Sequence, residues 1–151
     1  MIIKSIYALI ATLTFGILFN IQGKKLALAS LGGGISWFAY LLVSSYGKSN
    51  VLSLFIASLI AGVFSEAMAR IMKTPVTTFV ICAIIPLVPG GGMYYTMLDS
   101  IRGNINSSLN NGLETLTSAG AIAVGIILVS STSKYITLIR ANKKSKKPSR
   151  K

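Results

Sequence analysis

The chain has 151 residues, 52% hydrophobic and 12% charged, with a mean hydropathy of +0.69, too apolar for one soluble domain with a charged surface. It carries 15 Lys+Arg, 3 Asp+Glu and no histidine, which excludes His-based triads, HExxH metal sites and imidazole proton relays. With Glu66, Asp99 and Glu114 as its only carboxylates and Cys82 as its only thiol, acid/base enzymology is not expected, nor is a cofactor; the expected fold class is an all-α integral membrane protein.

Five apolar segments follow one another: Ile2 to Ile21, Leu26 to Tyr46, Val51 to Ile71, Pro75 to Ile101 and Leu116 to Ile139. A helix needs about 20 mostly apolar residues to cross about 30 Å of hydrocarbon, and four of the five meet that length. Short polar links with turn residues join them, "QGKK" at Gln22 to Lys25, "GKSN" at Gly47 to Asn50 and "MKT" at Met72 to Thr74. The longest link, "RGNINSSLNNGLET" from Arg102 to Thr115, has the Asn, Gly and Ser content of a solvent loop. Gly32, Gly33 and Gly34, Ala57 with Ala61, and Ala121 with Gly125 provide the small residues that let membrane helices approach closely. The first segment has no convincing cleavage site for a signal peptide.

The fourth segment is the irregular one. Pro86 and Pro89 cannot donate backbone hydrogen bonds, and Gly90, Gly91 and Gly92 are poor helix formers that tolerate positive φ. The helix is expected to end near Leu87, turn, and restart near Met93. In hydrocarbon such a break survives only when buried in protein or lining a watery cavity. A restarted helix presents unpaired N–H groups and a partial positive charge, a fit for a substrate carboxylate, with the hydroxyls of Tyr94, Tyr95 and Thr96 just beyond. The alternative is a loop at the membrane surface with Tyr94 and Tyr95 as interface aromatics.

From Arg140 onward, "RANKKSKKPSRK" lacks an apolar face and is expected to be a disordered tail behind a membrane domain of residues 1–139. Its bases account for the high net charge without any need for nucleic acid. With five spans and the C-terminus inside, the inner stretches hold twelve bases and the outer ones three, Lys4, Lys48 and Arg102; the positive-inside rule therefore favours an outside N-terminus and an inside C-terminus. Among polar residues, Glu66 and Arg70 share a helix face and can pair near the inner interface or serve coupling. Asp99 is expected near the outer surface beside Arg102. Asn20 is a buried polar candidate, or else a cap of the turn before Gln22; Glu114 has no claim to a role.

"IPLVPGGGMYYTM", together with "ASLIAGVFSEAMARIMKTP" (Ala57 to Pro75) and "FGILFN" (Phe15 to Asn20), resembles the small membrane subunit of the threonine/serine exporter family, over roughly Thr14 to Ile139. The resemblance implies five spans that form half of a ten-span transporter in the cell membrane, a larger multispan subunit as partner, and export of small polar carboxylates, threonine and serine or a dicarboxylate such as succinate, driven by the proton gradient. The competing reading is a membrane scaffold or regulatory subunit whose basic tail binds anionic lipid.

Overall fold

The computed structural model describes the backbone of residues 1–145 and the side chains of residues 1–135 and 139. Six α-helices and no strand are found among the described residues: α1 (Ile2–Leu18), α2 (Lys24–Ser45), α3 (Asn50–Met72), α4 (Val76–Ile84), α5 (Gly90–Ile101) and α6 (Ile105–Ser145), with a 3₁₀ turn at Ile85–Leu87 between α4 and α5. α2, α3 and the apolar part of α6 are long and apolar enough to cross a membrane, and α4 with α5 makes a fourth such unit bent by 51°. α1, at 17 residues, is shorter than the usual span. It stops at Leu18 because Asn20 adopts a left-handed φ of 57°, which ends the helix three residues before the expected Ile21.

Turn chemistry sets the other ends. Gly23 and Gly47 take positive φ before and after α2. Ser49 caps α3, its Oγ accepting from the Leu52 N–H at 3.3 Å, and Lys73 in the left-handed region closes it.

Small residues draw the helices together. Gly33 sits on Thr12 of α1 with no room for a Cβ, Gly32 packs against Phe64 and Ala83, and Gly34 against Leu9. Gly125 of α6 has no room beside Ser58 of α3, and Gly62 lies against Val129. Ala57 and Ala61 are buried on the same face of α3. Two apolar clusters result, one of Ala39, Leu54, Ala57, Leu87 and Ile122, the other of Ala29, Ala69, Phe79 and Cys82. Polar groups interleave with them. Ser30, Ser53, Ser58 and Ser65 are buried, each donating to a backbone carbonyl three or four residues back, so these four hydroxyls are satisfied without water.

Two expectations are corrected. Residues Arg102 to Thr115 do not form a solvent loop: only Arg102 to Asn104 turn, with Gly103 at φ 77°, and α6 starts at Ile105. Toward α5 it presents small or polar residues, Ser108, Asn111, Gly112 and Thr115, which pack there. The Ser108 hydroxyl donates to the Thr96 carbonyl at 2.9 Å and the Asn111 amide to Asp99 Oδ2 at 2.8 Å, while Gly112 sits on the Thr96 methyl. At the other end, α6 runs through Arg140 to Ser145, because Arg, Ala and Lys are good helix formers that simply extend it. The disorder expected farther along the tail falls on residues 146–151, outside those described.

α6 is the longest element, 41 residues against 23 for α3, or about 60 Å against about 35 Å. The contacts of Gly125 with Ser58 and of Val129 with Gly62 hold its middle on α3. The α5–α6 hairpin therefore stands beyond the α2–α3 turn, and the break before α5 lies at the level of that turn.

Candidate functional site

α4 loses its hydrogen-bond ladder at Pro86. The Ser36 hydroxyl of α2, itself fully buried, donates to the Ala83 carbonyl at 2.6 Å. Leu87 anchors the 3₁₀ turn in the core. Val88 and Pro89 then leave helical geometry, and α5 restarts at Gly90 rather than near Met93. The three glycines are thus the first turn of a helix, and none of them takes positive φ. Their role is spatial: Gly92 lies against Thr115 with no room for a Cβ, while Gly90 and Gly91 have nothing within 4 Å of where a Cβ would stand.

A cavity of about 260 Å³ opens at this point. The break supplies Pro86, Val88, Pro89 and Gly92; α2 supplies Trp37 and Tyr40, and α3 supplies Asn50 and Leu54. The fourth wall is α6, through Asn111, Glu114, Thr115 and Ser118. The Tyr40 hydroxyl donates to Asn50 Oδ1 at 3.0 Å, and the Trp37 and Tyr40 rings lie 4.9 Å apart, giving one side a fixed aromatic surface.

The start of α5 is uncapped by any side chain. The Gly90 N–H donates to the Val88 carbonyl at 2.8 Å, which leaves the Gly91 and Gly92 amides as the helix-start donors without an intrahelical acceptor. Together with the helix dipole they make this rim of the cavity attractive to an anion.

The expected site residues divide. Pro86, Pro89 and Gly92 meet in the cavity wall, with Gly90 and Gly91 beside it. Tyr94 and Tyr95 do not line it: they are 61% and 57% exposed and pack edge-on against each other. Thr96 faces α6 instead, because it lies one helical turn after Gly92, to whose carbonyl it donates at 2.7 Å. Asp99 is half-buried and held by Asn111 rather than solvated beside Arg102. Asn20 is exposed, not buried; its Oδ1 accepts from the Gln22 amide at 3.1 Å.

Glu66 and Arg70 lie elsewhere, in a cavity of about 500 Å³ between α3 and α6. Their ion pair is 3.8 Å long, and Ser133 completes the group, donating to Glu66 Oε2 at 2.5 Å and accepting from Arg70 at 2.7 Å. This polar cluster ties the two helices together across otherwise apolar contact.

Asn111, Glu114 and Thr115 were hidden in what reads as a loop, and Ser118 in the apolar segment that follows it. Once residues 105–118 are helical, their spacing of i, i+3, i+4 and i+7 places them on one face, and that spacing was the available signal.

A family model described as "Threonine/Serine exporter, ThrE" matches residues 4–132. No solved structure matches the chain.

Proposed function

The chain belongs to the threonine/serine exporter family, a family of membrane transporters and not of enzymes, and on that premise we propose that it exports small polar carboxylates through the cavity at the α4–α5 break. In this reading the amides at the start of α5 hold the substrate carboxylate, and the chain acts as one half of a two-subunit secondary transporter with a larger multispan partner in the plasma membrane. All five apolar segments cross, α1 included, with the N-terminus outside and the C-terminus inside. What supports the site is the break itself: a helix start with unfilled amides, bare of side chains at Gly90 and Gly91, stands at a polar cavity, while the Ala83 carbonyl ahead of the break is satisfied by Ser36.

The test is co-expression with an adjacent multispan gene product, followed by efflux of threonine, serine and succinate from preloaded cells. Export that requires both chains supports the reading. Export by this chain alone in liposomes, as a crosslinked homo-oligomer, refutes the two-subunit arrangement.

A further inference from the structure

A second polar cavity lies at the far end of α2 and α4 from the break. It has a volume of about 500 Å³ and is lined by Phe19, Asn20 and Gln22 of the α1–α2 turn, by Lys25 of α2, and by Thr74, Pro75 and Thr78 where α3 passes into α4. Its charge is one-sided. Lys25 is half-buried and has no hydrogen-bond or ion-pair partner among the described residues, and none of Glu66, Asp99 and Glu114 lines the cavity. Two helices start here, α2 behind Gly23 and α4 behind Pro75, neither with a side-chain cap nor with an acid in its first turn. Each adds the partial positive charge of a helix start, so Lys25 stands in the first turn of α2 where the dipole favours an anion. Thr74 supplies an independent sign. Its Oγ1 is buried and has no partner among the described residues; an unpaired buried hydroxyl is unfavourable, and a ligand that pairs with it recovers the loss.

We propose that this cavity is an oxyanion site, in which the Lys25 ammonium and the Thr74 hydroxyl hold a carboxylate or phosphate group at the starts of α2 and α4. A lysine and two helix starts without a counter-charge select an anion. The Gln22 amide donates to Asn20 Oδ1 at 3.1 Å and has a second N–H to give. Position gives the site a role. On the proposed topology it lies on the inner side, where an exporter takes up its substrate, whereas the cavity at the break lies toward the outer side. Lys25 and Trp37 stand about 18 Å apart along α2, too far for one small carboxylate to touch both. The two cavities therefore act in succession, the inner one loading the anion that the outer one receives. This loading role rests on the reading of the break cavity as the export site; the oxyanion site does not. A lipid headgroup phosphate at the inner surface has the same chemistry, and experiment separates the two sources.

The probe is the full chain carrying Gln22→Cys, in nanodiscs of phosphatidylcholine alone or mixed with phosphatidylglycerol. Gln22 is exposed at the cavity and the native Cys82 is buried, so a maleimide reads the introduced thiol. At constant ionic strength, succinate or inorganic phosphate is expected to slow labelling several-fold relative to chloride in phosphatidylcholine. Lys25→Gln should abolish that protection and Lys25→Arg retain it. In preloaded cells, Lys25→Gln should raise several-fold the internal substrate concentration that gives half-maximal efflux. Protection that appears only with phosphatidylglycerol assigns the oxyanion to lipid and overturns the loading role. Labelling indifferent to both soluble anions and to phosphatidylglycerol, or protection unchanged by Lys25→Gln, overturns the site itself. Gly91→Val separates this inference from the reading of the break. If it exports at the wild-type rate while anions still protect the thiol, the break cavity falls and the inner site stands; if it blocks export and no anion protects, the break cavity stands and the inner site falls.

Discussion

The Ser36 hydroxyl donates to the carbonyl of Ala83 across the α2–α4 contact, at 2.6 Å and out of reach of solvent. Ala83 lies just ahead of the 3₁₀ turn that carries Pro86, where regular α-helical bonding ends. A membrane protein can interrupt a helix only where another group takes up the freed backbone atoms, and here a neighbouring helix supplies that group.

Ser36→Ala should therefore destabilise the fold by about 1–3 kcal/mol, the cost of an unsatisfied buried acceptor. Thermal unfolding of the detergent-solubilised protein reads this directly. A melting temperature equal to wild type would mean that water or lipid reaches Ala83 in its place.

Adjacent glycines should respond in opposite ways. Gly92→Ala is expected to lower membrane abundance, because its methyl meets the stiff, β-branched Thr115. The Gly92→Ala/Thr115→Ala double variant should recover part of the loss, a coupling of about 0.5–3 kcal/mol for residues in contact. Gly91→Ala should leave abundance unchanged, since nothing stands near its added methyl. Equal losses at Gly91 and Gly92 would contradict this packing.

Removing Ser133 should weaken the α3–α6 contact. Ser133→Ala deletes the donor to the Glu66 carboxylate, a hydrogen bond to a charged group that contributes about 1.5–3 kcal/mol, and Ser133→Thr, which keeps the hydroxyl, should retain most of that stability. Chemical denaturation in detergent distinguishes the two; identical losses would show that shape, not the hydroxyl, matters at this position.

Orientation has its own measurement. A reporter fused after Lys151 should be active only in the cytoplasm, and a cysteine at the exposed Asn110 on α6 should react with an impermeant reagent added outside. Labelling of that cysteine only after the cells are opened would invert the proposed topology.

The apolar stretches and their turns were legible because hydrophobic runs, Gly23, Gly47 and Ser49 act locally. The break was legible from Pro86 and Pro89 for the same reason, since a missing N–H does not depend on the rest of the fold. The α5–α6 hairpin was not. Asn111, Gly112 and Thr115 have loop-like composition, and their helical state depends on contacts with Asp99, Thr96 and Gly92 that only tertiary structure supplies. Misreading that stretch also concealed Glu114, while Thr96, read into the site from its place just past the break, turns toward α6.

The length of α6 also gives the molecule a mechanical property. The rod is fastened at several levels: near its middle by Gly125 on Ser58 and Val129 on Gly62, about 12 Å farther on by Ser133 to Glu66 and Arg70, and toward its start by Ser108, Asn111 and Thr115 on α5. Glu114 and Ser118 lie on one arm, Lys134 on the other. Contacts on both arms therefore fix the register of α6 against α3 and α5 together, so that one continuous helix aligns the cavity wall with the Glu66–Arg70 cluster.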